Sequence, residues 1–213
     1  MINEMPRQII EVGEQVVTFD FTRNNDEVMD IHPGTDGFQR RFYEYVERKL
    51  DDGRTGIGKY AEKREIYKHS SNFISVRDIH LGLDIFTDAG TPIYSPYAGR
   101  IQSFAYNEGL GDYGGTIIVR YEIKGEVFHI LFGHLSRASL QGLEKGMAVS
   151  KGQKIAELGS YDENGQWYPH LHLQMIKDMQ GLEGDYKGVC SEENKEFYLS
   201  NCPDPSFLIQ ELT

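Results

Sequence analysis

The chain has 213 residues, with 33 acidic and 22 basic side chains and a formal net charge of −11. A chain of this length can bury roughly 70% of its unfolded surface in one domain, so it needs no covalent staples. The negative charge excludes nucleic acid as the expected partner, because phosphate binding needs a basic face, and it disfavours adhesion to anionic membranes.

The first 70 residues predict a small helical appendage. Residues 16–22 alternate weakly in polarity and favour a short strand, and His32-Pro33-Gly34 predicts a turn. A helix over about 36–50 is predicted from apolar residues near helical spacing, at Phe38, Phe42, Tyr45 and Leu50. The stretch GRTGIGKYAEKREIY follows as a Gly- and Lys-rich joint.

The N-terminal sequence has no recognisable targeting signal. MINEMPRQIIEVGEQ lacks the basic n-region and apolar h-region of a signal peptide. No apolar run approaches the roughly 18 residues of a membrane span. We therefore expect a cytoplasmic protein without a membrane partner, with export to the cell envelope as the alternative.

Residues 71–213 predict a mainly β domain. Short runs rich in Val, Ile, Phe and Tyr recur between turn signals, as in GGTIIVRYEI and EVFHILFGHL, and the 23 glycines against 7 prolines fit many tight turns. This pattern favours an antiparallel sheet or sandwich. Residues 178–213 are acidic and contain glycine, and we expect a loop or lid there with a short helix near 192–199.

The two cysteines, Cys190 and Cys202, are too few for a disulfide framework, and the sequence leaves open whether they pair. The absence of a C-x-x-C motif excludes a zinc site of the cysteine type.

Two histidine motifs have spacings that metal chemistry uses. His80 and Asp84 form H-x-x-x-D, which places both side chains on one face of a helix or around one turn between strands. His170 and His172 form H-x-H at the start of an alternating run, so in a strand both imidazoles point to the same face. Imidazole nitrogen and carboxylate oxygen both suit zinc.

Together these motifs predict a catalytic zinc site. H-x-x-x-D supplies two ligands and H-x-H a third, which leaves the open position of a catalytic centre. The remaining histidine of H-x-H and His134, which ends a strand beside a glycine, then become acid–base partners. His129 is predicted to lie on the surface or across a strand pair, and His32 and His69 are predicted to be solvated.

A series of motifs in the same order resembles the M23 zinc metallopeptidases, the lysostaphin- and LytM-like peptidoglycan endopeptidases. The resemblance covers roughly residues 77–175 through HLGLDIF, GTPIYSPYAGRI, YGGTIIVRY, FGHLS, GMAVSKGQKIAELGS and PHLHLQ. It implies a β-sheet or sandwich of the duplicated-hybrid-motif type. It also implies that His80, Asp84 and His172 bind zinc, and that His134 and His170 are the catalytic pair.

The implied activity is zinc-dependent hydrolysis of peptide bonds by activated water, in peptidoglycan stem or cross-bridge peptides. Two alternatives stay open: a zinc amidase or peptidase with a non-wall substrate, and a zinc-bound but inactive regulatory scaffold. The hairpins also resemble lipoyl carrier domains, but no M-K-M or D-K turn is present.

Residues around these motifs invite further predictions. Gly58, Tyr60 and Arg64 before the core, and N-G-x-W at residues 164–167 before H-x-H, resemble a subgroup of the same family. Asp78 is predicted to be a surface turn residue, with orientation of an imidazole as the alternative. Arg77 is predicted to form a structural salt bridge. Trp167 and Tyr168 either pack or line the substrate groove.

Overall fold

The structure, a computed structural model, describes residues 5–29, 31, 37–50, 53–67 and 77–209. Its described strands are β1 Val16–Thr18, β2 Thr55–Gly58, β3 Ile79–His80, β4 Leu83–Phe86, β5 Pro92–Tyr94, β6 Gly99–Asn107, β7 Gly114–Ile123, β8 Glu126–Leu135, β9 Ala148–Val149, β10 Lys154–Glu157, β11 His170–Ile176 and β12 Val189–Cys190. Its described α-helices are α1 Asp26–Met29, α2 Phe38–Lys49 and α3 Lys195–Asn201. The predicted mainly β, antiparallel fold is confirmed.

One large sheet organises the molecule. Eight strands lie in the order β1-β2-β4-β11-β8-β7-β6-β9, and within it only the β1–β2 pair of the described strands is parallel. The strands β4, β11 and β8 lie at its centre, where β11 pairs antiparallel with both neighbours. The long hairpins β6–β7–β8 follow the alternation of apolar residues, with Ile117, Val119, Ile130 and Phe132 fully buried.

The 55–58 stretch differs from its prediction as part of a joint. Thr55, Gly56, Ile57 and Gly58 form β2, a buried strand between β1 and β4. Its glycines are needed for close approach, since a Cβ at Gly58 would lie 2.7 Å from Nη2 of Arg64. The glycines of this stretch are therefore required by close packing inside the sheet. From sequence alone, such glycines cannot be distinguished from glycines that form a turn.

The helix α2 covers one side of the sheet. It lies within the predicted 36–50 range and buries Phe38, Phe42 and Tyr45. These side chains join an aromatic cluster in which Phe42 meets Phe86 and packs edge-on against Trp167 at 5.2 Å. The division of the chain near residue 70 stays a prediction, and residues 68–76 lie outside the described part of the chain.

The C-terminal segment packs against the same face of the sheet as α2, where Cys190 and Cys202 are buried with Ile118, Leu131 and Ile176. A 3₁₀ turn, Glu192–Asn194, leads into α3, close to the helix predicted near 192–199. Cys190 and Cys202 are both buried there as free thiols. No helix in the described ranges is long and apolar enough to cross a membrane. The predicted turn at His32 and the solvated His69 lie outside those ranges.

Candidate metal centre

Three side chains from the two histidine motifs converge on one point. Nε2 of His80 lies 3.2 Å from Oδ1 of Asp84, and Nδ1 of His172 lies 3.0 Å from the same oxygen. The two imidazole nitrogens are themselves 3.0 Å apart. All three side chains are buried, and their donor atoms form the one described group with metal-ligand spacing.

Adjacent strands create this convergence. His80 ends β3 and Asp84 lies in β4, so H-x-x-x-D spans a turn between strands and is not helical. The register of β11 against β4 then places His172 directly opposite Asp84. Gly82 in the turn lets the chain pass close to the His172 ring, because a Cβ there would lie 2.6 Å from Cε1 of that ring.

The outward hydrogen bonds of the two imidazoles determine which nitrogen is left for a ligand. Nδ1 of His80 donates to the carbonyl of Lys59 at 3.0 Å, and Nε2 of His172 donates to Oε1 of Gln174 at 2.9 Å. The opposite nitrogens then carry lone pairs that face each other and Oδ1 of Asp84. Three acceptors without a proton between them form a pocket for a cation, and this donor set suits zinc.

The second oxygen of Asp84 is also engaged. Nη1 of Arg64, a residue that is only 1% exposed, lies 2.6 Å from Oδ2. Burial alone raises the pKa of Asp84, but its interactions with His80 and with the Arg64 guanidinium outweigh burial and hold that pKa well below its ordinary value. The carboxylate is therefore ionised, as a metal ligand must be.

The two remaining histidines lie beside this group. His134 and His170 have ring centroids 4.1 Å apart, and Nε2 of His170 is 3.9 Å from Oδ1 of Asp84. Nδ1 of His134 donates to the carbonyl of Asn164, and Nδ1 of His170 donates to that of Tyr168. In each ring, Nε2 is thus the nitrogen left for proton transfer.

The backbone of His134 adopts an uncommon conformation. Its φ is +62°, a left-handed value that costs a non-glycine residue energy, and its N–H donates to the carbonyl of Tyr113. This local kink at the end of β8 turns the imidazole towards His170. His170 is held from the other side by stacking on Phe86, with ring centroids 4.6 Å apart.

Burial keeps these histidines neutral. Desolvation lowers the pKa of His80 and that of His170 to about 4, and it lowers the pKa of His134 well below its ordinary value. A neutral imidazole can ligate a metal or accept a proton, whereas a protonated one can do neither.

These side chains lie in a cleft of about 500 Å³. Its other walls come from the loop at 108–113, from Arg77, from Trp167 and from residues 185–189 of the C-terminal segment. Trp167, 9% exposed, both packs in the aromatic cluster and lines the cleft, so the two interpretations of its role are not exclusive.

Asp78 corrects a sequence prediction. It is 1% exposed and is not a surface turn residue. It directly precedes β3, which β12 covers, and its N–H donates to the carbonyl of Cys190. Nζ of Lys63 lies 3.9 Å from its Oδ2. The backbone of β12 therefore shields Asp78 from solvent, and the residues next to Asp78 in the sequence do not predict this long-range pairing.

Other contributors were not predicted. Lys59 acts through its backbone carbonyl, which no side-chain pattern reveals. Gln174 follows His172 at the next position on the same strand face, so alternation along β11 offered a signal for it. His129 lies in β8 opposite Arg120 and Ile176, as predicted for a residue across a strand pair.

A β-sheet that carries a buried His–Asp–His group beside two neutral imidazoles is typical of a metal-dependent hydrolase. The chain belongs to peptidase family M23, whose family model matches residues 78–184.

Similar proteins include an uncharacterized metalloprotease of Haemophilus influenzae, 28% identical over 125 residues, covering 55% of this chain and 24% of that protein. An L-Ala–D-Glu endopeptidase of Bacillus subtilis is 34% identical over 107 residues, covering 48% of this chain and 31% of that protein. Among solved structures, the catalytic domain of lysostaphin from Staphylococcus simulans matches 75% of this chain and 93% of its own, at 23% identity and a TM-score of 0.44. The chain thus spans about a quarter to a third of the curated relatives' length.

Proposed function

We propose that this chain is a zinc-dependent metalloendopeptidase that hydrolyses peptide bonds in peptidoglycan stem or cross-bridge peptides. The observation that carries the proposal is the convergence of three unprotonated donor atoms within one cleft, next to two neutral imidazoles. Membership of peptidase family M23 supports it, and the similar L-Ala–D-Glu endopeptidase supports the substrate class.

In this proposal Nε2 of His80, Oδ1 of Asp84 and Nδ1 of His172 hold the zinc ion. When bound, zinc supplies Lewis acidity, which polarises a carbonyl oxygen and lowers the pKa of water towards neutrality. The hydrogen bonds from His80 to Lys59 and from His172 to Gln174 keep each ring in the tautomer that presents a lone pair to the ion.

His134 and His170 are the proposed acid–base pair. Both rings donate through Nδ1 to backbone carbonyls, so each presents Nε2 as a proton acceptor. One Nε2 takes a proton from the attacking water, and the resulting imidazolium donates a proton to the leaving amine or stabilises the developing oxyanion. A group of this kind contributes typically about 10²–10⁴-fold to the rate.

The test is digestion of isolated peptidoglycan by the purified chain, with new amino termini identified by mass spectrometry. We expect new α-amino groups at one type of peptide bond, strongly reduced release by the His134→Ala variant, and no release after treatment with a chelator. Intact peptidoglycan together with cleavage of a simple amide would favour the amidase alternative. Zinc binding without cleavage of either substrate would favour the inactive scaffold.

A further inference from the structure

Residues 55–67 lie outside the region matched by the family model, yet they contact two of the three donor side chains. The strand β2 pairs antiparallel with β4, and this register places Gly58 opposite Asp84. The chain then turns back through Lys59 and Glu62 to Arg64, whose N–H donates to the carbonyl of Asp78. This stretch, called the 55–67 segment, therefore packs directly against Asp84 and His80.

Within the 55–67 segment, Arg64 makes the contact with the side chain of Asp84. Its guanidinium lies 2.6 Å from Oδ2 of Asp84 through Nη1 and 3.1 Å from Oε2 of Glu62 through Nε. A buried arginine is costly unless its charge is paired and its donors are satisfied, and here two carboxylates neutralise it. Because Arg64 holds Oδ2, the other oxygen of Asp84 is directed at the two imidazole nitrogens.

The backbone of the same segment fixes His80. The carbonyl of Lys59 accepts the bond from Nδ1 of His80 at 3.0 Å, and it also accepts a longer bond from Nη2 of Arg64 at 3.4 Å. One carbonyl thus links the orientation of the imidazole to that of the guanidinium.

Gly58 makes room for this arrangement. A Cβ at that position would lie 2.7 Å from Nη2 of Arg64 and 3.2 Å from Cβ of Asp84. Any larger residue would push the guanidinium away from the carboxylate. The G-x-Y-x-x-x-R spacing of Gly58, Tyr60 and Arg64 is therefore explained in part by the metal centre.

We propose that Arg64 is a positioning residue for the metal centre and that the 55–67 segment is an integral part of that centre, holding Asp84 and His80 in the geometry that binds zinc. This inference rests on the proposed function, since it takes the three donors to be zinc ligands. Loss of an outer partner of a metal ligand typically weakens metal binding about 10- to 100-fold.

The test uses the full chain and two readouts other than turnover. Zinc affinity is measured by competition with a chromogenic chelator, and the cobalt(II)-substituted protein is examined by visible absorption. Arg64→Lys keeps a positive charge but loses the guanidinium fork. We expect zinc affinity to fall about 10- to 100-fold and the cobalt spectrum to change. The control Arg40→Lys alters an arginine of α2 that is 83% exposed, and both readouts should match the wild type.

A second pair of variants covers the case in which Arg64→Lys fails to fold. Gly58→Ala crowds Arg64 and Asp84, whereas Gly56→Ala, in the same strand, crowds Phe19 and Leu50 instead. Both should lower the melting temperature, and only Gly58→Ala should weaken zinc binding.

The outcomes separate the two proposals. If the wild type binds zinc and folded Arg64→Lys binds it equally well with an unchanged cobalt spectrum, the role of Arg64 is refuted and the zinc site stands. Equal zinc affinities for Gly58→Ala and Gly56→Ala would refute it in the same way. If the wild type binds no zinc, the proposed function fails and this inference fails with it.

Discussion

Replacing Gly82 by alanine should weaken zinc binding without removing any ligand. The added Cβ would lie 2.6 Å from Cε1 and 2.7 Å from Nε2 of His172, and 2.8 Å from the carbonyl oxygen of Leu173. Non-bonded carbon atoms prefer about 3.5–4.0 Å, so either the imidazole or the turn must move by about 1 Å. Gly82 does not have a positive φ, so the effect is steric and not a matter of backbone strain.

The expected magnitude follows from the cost of overpacking. An extra methyl group in a packed interior costs about 1–3 kcal/mol. If that energy is released by displacing His172, zinc affinity falls about 5- to 150-fold, because each 1.4 kcal/mol is about a factor of ten. Competition with a chromogenic chelator measures this change directly.

Gly99→Ala is the matched control. Its Cβ would lie 2.6 Å from Cδ1 of Tyr121 and 2.7 Å from the carbonyl oxygen of Arg120, a comparable overlap in a part of the sheet that does not line the cleft. Both variants should lose thermal stability, and only Gly82→Ala should lose zinc affinity. Zinc affinities that are equal in the two variants would refute the reasoning.

Three further predictions concern the histidines and their supports. His134→Ala should keep its zinc while turnover of a peptide substrate falls about 10²–10⁴-fold, as the loss of an acid–base group does; undiminished turnover would exclude His134 from the chemistry. In chelator-treated protein, urea melts at a series of pH values should show stability falling as the pH drops from about 6.5 towards 4. Burial lowers the pKa of His80 and His170 to about 4 from 6.5, so the unfolded chain binds more protons in that window, at up to about 1.4 kcal/mol per pH unit for each imidazole; a flat profile would contradict these shifts. Asn164→Ala should lower stability by about 1–3 kcal/mol, because the buried Trp167 backbone loses its hydrogen bonds to that side chain, and calorimetry should detect this loss.

Much of the site is predictable because the ligands lie in short motifs. H-x-x-x-D supplies two of the proposed ligands and H-x-H the third, and strand alternation alone places His170 and His172 on one face. The choice of His172 over His170 comes from the family resemblance. The family resemblance implies that the two motifs meet, whereas the β11–β4 register that brings them together is seen in the structure and not in any spacing along the chain.

The supports of the site are less predictable because they depend on long-range contacts. Arg64 is 20 residues from Asp84, and the hydrogen bond from His80 reaches a backbone carbonyl at Lys59. Asp78, predicted to be exposed, is buried because β12, which lies far along the chain, returns to pair with β3. In each case the partner is set by the fold and not by neighbouring residues.

The net negative charge of the chain does not carry over to the groups in the metal centre. Although the formal net charge is −11, Asp84 is paired with Arg64, and His134 and His170 are kept neutral by burial. The surface charge therefore does not determine the protonation of the groups that are proposed to act.

The most direct test of the zinc site is the metal content of three purified forms of the full chain, measured by native mass spectrometry. We predict one zinc ion in the wild type, none in His172→Ala and one in His134→Ala, because of these two histidines only His172 belongs to the converging donor group. A wild type without zinc, or equal loss of zinc in both variants, would contradict the account.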